Sequence, residues 1–186
     1  MSGDLRLRPV RAGDASRIAE IYNQGIEERN ATFETEPRTE EAVRQQFADR
    51  VETHPAVVAE RDGRVVAAAW TAPYRPRQAY AGVAEVSIYV DREARGQGIG
   101  RLALAALIEA AEQRGFWKLV SRIFPENEAS RRLCAALGFR EVGIYRRHGK
   151  LDGRWRDCVI VERLLGEALR EPGQPAVAVD TASPSV

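Results

Sequence analysis

The chain has 186 residues, of which 44% are hydrophobic and 30% charged, a composition typical of one globular domain with a substantial core. Its 28 Lys and Arg residues nearly balance its 27 Asp and Glu residues, so the formal net charge of +1 argues against a nucleic-acid-binding protein. The first ten residues contain no apolar signal segment, and no apolar run reaches the ~18 residues of a membrane span. We therefore expect a cytoplasmic protein without a membrane partner.

The cysteines and histidines argue against a metal centre. Cys134 and Cys158 lack the C-x-x-C spacing of metal and redox motifs, and only His54 and His148 are present. We therefore expect two reduced thiols and no bound metal.

Apolar periodicity and capping residues predict the elements of the first half. These are a strand at 5–9, a helix after Asp14 with Ile18, Ile21, Tyr22 and Ile26 on its inner face, a loop at 30–37, and a helix after Thr39 with Val43, Phe47 and Val51 on one stripe. Strands at 56–60 and 65–70 follow, joined by a turn containing Asp62-Gly63, and a turn-rich segment at 72–82 leads into a strand at 83–90.

The same signals predict the second half. A glycine-rich turn at 95–100 opens a helix that should end at Gly115, and a strand at 117–123 comes next. Asn127 is expected to cap a short helix that Gly138 ends. Strands at 139–145 and 157–164 should then pair antiparallel, joined by a polar loop at 148–156.

The order of these elements predicts a mixed α/β or α+β sheet with helices on its faces. We assign residues 1–168 to a single domain. Pro, Gly and Ser dominate from Glu171 onward, so residues 169–186 are predicted to form a disordered tail.

The glycine-rich turn is the most informative segment. Gly96, Gly98 and Gly100 alternate between a strand and a helix, so no Cβ would keep a ligand away from the backbone. Free N–H groups and the positive dipole end of the helix suit a pyrophosphate. The spacing fits neither the G-x-G-x-x-G of dinucleotide-binding domains nor a Walker A loop. A turn with only a connecting role is the alternative.

Arg95 to Gly100 resembles the R/Q-x-x-G-x-G/A pyrophosphate turn of the GNAT acyltransferases, and residues 127–139 resemble that family's N-x-x-S/A…L-G-F segment. Four further segments resemble one branch of the family, the phosphinothricin, methionine sulfoximine and arsinothricin N-acetyltransferases. They are ATFET at 31–35, YRPRQAY at 74–80, AEVSIYV at 84–90 and GRWRD at 153–157. The resemblance implies the GNAT fold, with a mixed, mostly antiparallel sheet and helices on both faces.

The resemblance also implies acetyl-CoA as the acyl donor. The backbone of Ile88, Tyr89 and Val90 would line the acetyl group and the pantetheine, with an N–H near Ile88 as an oxyanion donor. The pyrophosphate would be held by Arg95, Gly96, Gln97, Gly98, Ile99 and Gly100. Asn127 would contact the coenzyme arm, and helix capping is its alternative role.

Glu85 is the expected catalytic base. Along its strand it shares a face with Ser87 and Tyr89, opposite the apolar stripe of Val86, Ile88 and Val90. An ammonium has no lone pair with which to attack, and a carboxylate in a half-buried cleft can take its proton directly or through a water. The resemblance gives the matching glutamate this role; an exposed strand residue without a role is the alternative.

Arg75 and Arg77 are expected to bind an anionic acceptor, because guanidinium groups match carboxylate, phosphinate or arsinate oxygens in a bidentate manner. With Phe33 and Tyr80 they would form the acceptor pocket, as the branch resemblance also implies. Two solvated loop arginines are the alternative.

Cys134 stands where many GNAT enzymes carry a Tyr that reprotonates the departing thiolate, and we interpret it as a packing residue. The segments at 148–150 and 155–157 are expected either to border the acceptor pocket or a dimer contact, or to form a plain surface hairpin. A homodimer is implied by the resemblance alone.

These residues predict acetyl-CoA-dependent N-acetylation, and thereby detoxification, of the α-amine of a small anionic glutamate analogue: phosphinothricin, arsinothricin or methionine sulfoximine. Two alternatives stay open. One is a GNAT enzyme for another small amine or a protein N-terminus, against which the Arg75 and Arg77 pair argues where the acceptor is cationic. The other is a non-catalytic coenzyme A sensor, against which the presence of Glu85 argues.

Overall fold

A computed structural model of the chain describes residues 4–50 and 52–170, which build a seven-stranded sheet. The strands are β1 (Leu5–Pro9), β2 (Ala56–Arg61), β3 (Arg64–Pro73), β4 (Val83–Val90), β5 (Lys118–Ile123), β6 (Arg140–Leu151) and β7 (Arg154–Leu164). Their order in the sheet is β1-β2-β3-β4-β5-β7-β6, and every neighbouring pair is antiparallel except β4 with β5. The predicted mixed, mostly antiparallel sheet is confirmed.

The helices cover both faces of this sheet. They are α1 (Ala15–Glu27), α2 (Glu40–Ala48), α3 (Ile99–Gln113) and α4 (Glu128–Ala136). Successive residues of β3 point to opposite faces, so Ala67 packs in a cluster with Leu104 of α3 while Ala68 packs in a cluster with Ile21 of α1. Over the residues that the structure describes, no helix is long and apolar enough to cross a lipid bilayer.

Helix α2 begins as its sequence predicts. The Thr39 hydroxyl accepts a hydrogen bond from the N–H of Ala42 at 3.1 Å, which satisfies one of the free donors of the first turn. Val43 of the predicted stripe is buried, and Phe47 packs beside it. The cap and the apolar stripe of α2 are therefore both where the sequence predicts them.

Helix α1 also begins where predicted, but for a different reason. Its inner-face residues Ile18, Ile21, Tyr22 and Ile26 are all buried. Asp14 precedes the helix, yet its carboxylate makes no capping bond to it. The carboxylate instead accepts hydrogen bonds from the Arg8 guanidinium at 2.8 and 2.9 Å and from the Arg11 N–H at 2.7 Å. A charged pair therefore connects β1 to the start of α1.

The polar segment 148–156 is not the predicted loop. It forms the end of the β6–β7 hairpin, in which Gly149 lies opposite Arg156. The turn itself is Asp152-Gly153, where both residues have positive φ. Asp-Gly is a strong hairpin signal, and the prediction missed it because the exposed strand ends carry no apolar alternation.

The last described residues follow β7 in a short 3-10 turn, Gly166–Leu169, whose first N–H donates to Glu112 Oε1 at 2.9 Å. The predicted tail, 169–186, begins within that turn. Residues 171–186 lie outside the described residues, as does Val51 of the predicted α2 stripe.

Candidate active site

Strands β4 and β5 separate partway along their length, and a cleft opens between them. Their parallel pairing covers three residue pairs and ends with Glu85 opposite Val120, although β4 continues to Val90. The final link is the Ser121 hydroxyl, which donates a hydrogen bond to the Val86 carbonyl at 3.0 Å. Beyond this point β4 has β3 on one side and no strand of the described chain on the other.

Backbone direction decides which groups of β4 face the cleft. The N–H of Asp91 donates to the Val66 carbonyl of β3 at 2.9 Å. Because the backbone groups of successive residues alternate in direction along a strand, the residues one and three positions before Asp91 point their N–H and C=O groups away from β3. Ile88 and Val90 therefore direct their N–H and C=O groups into the cleft. The Val90 carbonyl accepts from Arg95 Nε at 3.1 Å. The Ile88 N–H faces the gap, which is the position expected of an oxyanion donor.

The glycine turn lies where β4 leads into α3. Gly96 and Gly98 have φ of +74° and +78°, and a Cβ at either position would meet no atom within 4 Å. The left-handed backbone, rather than a lack of space, thus favours glycine at these two positions. At Gly100 a Cβ would lie 3.1 Å from Val90 Cγ2, so close packing favours glycine there. The N–H groups of Ile99 and Gly100 begin the helix and have no carbonyl of an earlier turn to bind.

The side chains of the turn are held by protein contacts. Arg95 forms an ion pair with Glu28 at 2.9 Å. Gln97 accepts from Arg61 at 2.6 Å and donates to the Glu93 carbonyl at 3.1 Å. The turn therefore offers its backbone N–H groups to a ligand, beside an Arg95 side chain that is 44% exposed.

Asn127 caps α4, since its Oδ1 accepts from the Ser130 N–H at 3.1 Å, and its Nδ2 donates to the Asn30 carbonyl at 3.1 Å. It also lines the cleft together with Cys134. Cys134 is buried, and burial raises the pKa of its thiol to about 11. The thiol is thus neutral near pH 7, as expected of a packing residue.

A larger cavity, of about 390 Å³, adjoins the cleft cavity of about 70 Å³. Ser87, Tyr89 and Ser121 line both, so the two spaces meet at the gap between β4 and β5. The larger cavity opens on the face of the sheet opposite α3. We call it the acceptor cavity.

Glu85 lines the acceptor cavity, and the predicted division of β4 is confirmed, because Val86 and its stripe pack with the α3 cluster. The Glu85 side chain is 30% exposed, and its Oε2 lies 2.5 Å from Arg122 Nη2. Arg122 follows Val120 by two positions on β5 and shares its face. Sequence reasoning missed Arg122, because β5 also carries Lys118 and Ser121 and a further charged residue there is no distinctive signal.

Phe33 also lines the acceptor cavity, as predicted. Its ring meets that of Phe124 edge-on, with centroids 4.8 Å apart, and the hairpin end at His148 and Gly149 covers the same wall. The hairpin thus borders the cavity, which is one of the two roles considered for it.

The polar wall of the cavity comes from α1 and the 30–37 loop. The Tyr22 hydroxyl lies 3.2 Å from Thr32 Oγ1, and Arg38 stacks over the Tyr22 ring at 4.3 Å. Arg38 Nε donates to Glu34 at 2.7 Å, and this bond lowers the pKa of the Glu34 carboxyl. Burial raises the pKa of Tyr22. At neutral pH the wall therefore holds a neutral phenol and a carboxylate whose charge is already balanced.

Three predicted acceptor-binding residues do not line the cavity. Arg75 and Arg77 are exposed in the segment between β3 and β4. Tyr80 packs edge-on against Tyr74, with ring centroids 5.7 Å apart. Their segment does begin beside the cavity, because Ala72 of β3 pairs with Glu85.

A sheet split between two parallel strands, with a glycine turn and a helix N-terminus beside the split, offers backbone groups along the cleft and free N–H groups at its end. Residues 19–139 match the family described as Acetyltransferase (GNAT) family. The chain belongs to the GNAT family and is an N-acetyltransferase.

Named relatives cover nearly the whole domain. The chain is 34% identical to the phosphinothricin N-acetyltransferase of Streptomyces coelicolor, over 88% of this chain and 98% of the relative. It is 32% identical to the L-methionine sulfoximine/L-methionine sulfone acetyltransferase of Pseudomonas aeruginosa, over 89% and 98% of the two chains. A crystal structure of a phosphinothricin acetyltransferase from Sinorhizobium meliloti in complex with AcCoA superposes with a TM-score of 0.85 at 33% identity, covering 97% and 98%.

Proposed function

We propose that this protein transfers the acetyl group of acetyl-CoA to the α-amine of a small anionic glutamate analogue, such as phosphinothricin, arsinothricin or methionine sulfoximine, and thereby detoxifies it. The observation that carries the proposal is the pairing of Glu85 with Arg122 where the cleft meets the acceptor cavity. The Glu85 carboxylate can accept a proton from the amine of the acceptor, and the Arg122 guanidinium can bind its acid group. The relatives named for phosphinothricin and methionine sulfoximine support this acceptor class.

The cleft fits an acyl-coenzyme A in two respects. The unpaired edge of β4 offers backbone groups to an extended chain of amides, and the start of α3 offers free N–H groups to a diphosphate. We assign the backbone groups of Ile88 and Val90 to the acetyl and pantetheine end, together with Tyr89, whose backbone faces β3 but which also lines the cleft. We assign Arg95 to Gly100 to the pyrophosphate. Asn127 lies beside the coenzyme arm, and the AcCoA complex of the S. meliloti relative supports this donor.

The residues of the chain then have defined tasks. Glu85 takes a proton from the acceptor ammonium, directly or through a water, so that the nitrogen regains its lone pair. The amine forms its new bond to the acetyl carbon, and the carbon–sulfur bond breaks. The nitrogen gives up its second proton as the amide forms, and the departing thiolate of coenzyme A takes up a proton, from that nitrogen or from water, and leaves as the thiol. The Ile88 N–H donates to the oxygen that gains negative charge in the transition state. Acetyl-CoA supplies the activated thioester.

The acceptor is held by the cavity wall and by the segment between β3 and β4. We assign Phe33 to contacts with the acceptor's carbon chain and Arg75, Arg77 and Tyr80 to its anionic head group. The pairing of Ala72 with Glu85 supports this assignment, because it starts their segment beside the base.

We also propose a homodimer. The outer hairpin exposes several large apolar side chains, namely Val142, Ile144, Tyr145 and Trp155. Strand β6 is an edge strand of 12 residues, and exposed apolar patches on such an edge mark interaction surfaces in natural proteins. A second copy of the chain would cover this surface.

The proposed function is tested by release of the coenzyme A thiol over a panel of acceptors. Phosphinothricin, arsinothricin and methionine sulfoximine are compared with glutamate, spermidine and a short peptide. We expect turnover with the glutamate analogues. If only spermidine or the peptide is turned over, the acceptor is another small amine or a protein N-terminus instead of a glutamate analogue. If no acceptor gives thiol release, the proposal is overturned.

A further inference from the structure

We infer that Arg122 selects acceptors that carry a free α-carboxylate, and that this carboxylate takes the place of Glu85 in the ion pair and so frees the base. The inference rests on the proposed function, since it concerns the acceptor of that same site. It assigns the recognition of the acid group next to the amine to a residue of β5 rather than to the exposed Arg75 and Arg77.

Arg122 provides the fixed positive charge of the acceptor cavity. Among residues 4–50 and 52–170, it is the only Lys or Arg that lines the cavity. The carboxylates that line it are Glu34 and Glu85. Glu34 is already paired with Arg38. An acid group that enters the cavity therefore meets Arg122 as its counter-ion.

Arg122 keeps free donors for such a ligand. Its side chain is 47% exposed, and within the described part of the chain Glu85 is the only acceptor of its hydrogen bonds. A guanidinium has five N–H donors and binds a carboxylate through two parallel bonds. Arg122 is therefore a half-exposed charged group with N–H donors left to bind a ligand.

The distance between Arg122 and Glu85 identifies the part of the acceptor that Arg122 binds. Nη2 of one and Oε2 of the other lie 2.5 Å apart, so the ligand groups that they hold must be neighbours. In an α-amino acid the amine and the carboxylate share one carbon, whereas the head group lies at the far end of the side chain. An amine placed at Glu85 thus brings its own α-carboxylate to Arg122.

The same contact explains how binding prepares the base. In the free enzyme the Arg122 guanidinium occupies the carboxylate that must accept the proton. The acceptor's carboxylate offers Arg122 an equivalent partner, and Glu85 is then left facing the ammonium. An amine without a carboxylate leaves the Glu85–Arg122 pair closed.

The test compares phosphinothricin with its α-carboxamide, in which the phosphinate head is unchanged and the carboxylate charge beside the amine is removed. Steady-state kinetics are measured for the unsubstituted enzyme, Arg122→Gln, Arg122→Lys and Arg6→Gln. Arg6 is a matched control, because it is an exposed arginine of β1 that pairs with Asp4, and β1 lies at the far edge of the sheet from the cavity. Thermal unfolding and the KM for acetyl-CoA confirm that each variant is intact.

We expect the unsubstituted enzyme to prefer the acid by about 10- to 100-fold in kcat/KM, the range of charge-assisted hydrogen bonds. Arg122→Gln should bring the ratio of the two kcat/KM values near one, through a higher KM for the acid. Arg122→Lys should retain part of the preference for the acid, and Arg6→Gln should retain all of it. A general structural defect would lower kcat/KM equally for the acid and for the carboxamide. An unchanged ratio in Arg122→Gln would overturn this inference alone, whereas no turnover of phosphinothricin, arsinothricin or methionine sulfoximine by the unsubstituted enzyme would overturn the proposed function as well.

Discussion

Gly149 lies directly against the ring of Phe33, so that a Cβ built on Gly149 would stand 2.7 Å from Phe33 Cε1. The ring cannot easily retreat, because Phe124 meets it edge-on at 4.8 Å between centroids. The hairpin formed by β6 and β7 therefore sets the position of one wall of the acceptor cavity.

Gly149→Ala should displace Phe33 and weaken acceptor binding, because the new methyl group overlaps the ring. We expect the KM for the acceptor to rise about tenfold, equivalent to ~1.4 kcal/mol, with the KM for acetyl-CoA unchanged. Gly143→Ala is the matched control, since it lies on the same strand and a Cβ there meets nothing within 4 Å. Equal KM values for the two variants would show that this contact does not shape the cavity.

Glu85→Gln should lower turnover by about 10²- to 10⁴-fold, because the amide cannot take the proton of the ammonium. Binding of acetyl-CoA, measured by calorimetry, should stay nearly the same. Glu141→Gln serves as the control, since Glu141 is likewise a strand glutamate paired with an arginine, Arg131. Near-normal turnover of Glu85→Gln would remove Glu85 from the role of base.

Arg75→Ala should raise the KM for an anionic acceptor by about 10- to 100-fold, the loss expected for hydrogen bonds to a charged group. The KM for acetyl-CoA should change little, because the segment of Arg75 lies at the Glu85 end of the cleft and not at the glycine turn. The two constants are measured side by side, and an equal rise in both would contradict the assignment.

Gly98→Ala should destabilise the fold and weaken acetyl-CoA binding. At φ +78° an alanine costs about 1–2 kcal/mol, although its Cβ would touch nothing within 4 Å. Gly13→Ala is the control that distinguishes backbone strain from steric overlap. A Cβ at Gly13 would also meet nothing within 4 Å, but the φ of Gly13 lies outside the left-handed region. Urea unfolding should show a loss for Gly98→Ala alone; a similar loss in both variants would argue against backbone strain.

Cys134 should make the protein sensitive to alkali. Burial raises the pKa of its thiol from 9.0 to about 11. A group whose pKa is higher in the folded state contributes stability that is complete below pH 9 and is lost as the pH rises to 11. Urea unfolding at pH 8 to 11 should therefore show that Cys134→Ala loses less stability than the parent, by about 2–3 kcal/mol over this interval. If the unfolding free energies of the parent and of Cys134→Ala fall by the same amount with pH, the Cys134 thiol does not have the raised pKa of a buried group.

Features that depend on neighbouring residues were predictable from the sequence. Thr39 and Asn127 cap their helices as expected, and the two faces of β4 follow from alternation along the strand. Such features need only a few adjacent residues, because capping and side-chain periodicity are local. The glycine turn was found in the same way.

Contacts between distant segments were not predictable. Arg122 and Glu85 are 37 positions apart, and their meeting depends on the register of β4 against β5 and on where the two strands part. Gly149 reaches Phe33 only because β6 continues past an irregularity in its pairing after Tyr145. No pattern within a single segment encodes either relationship. Arg75 is exposed and lies outside the lining of the cavity, although its segment starts beside Glu85, and no pattern within that segment encodes this placement.

The parting of β4 and β5 also divides the sheet into two antiparallel halves that share three residue pairs and the Ser121 hydroxyl. Glu85 and Val120 form the last of those pairs. On the α3 face, a single apolar cluster that contains Val86 of one half and Leu119 and Val159 of the other joins the two halves again. The gap is therefore framed by hydrogen bonds at one end and by core packing on one face, so the fold itself holds it open.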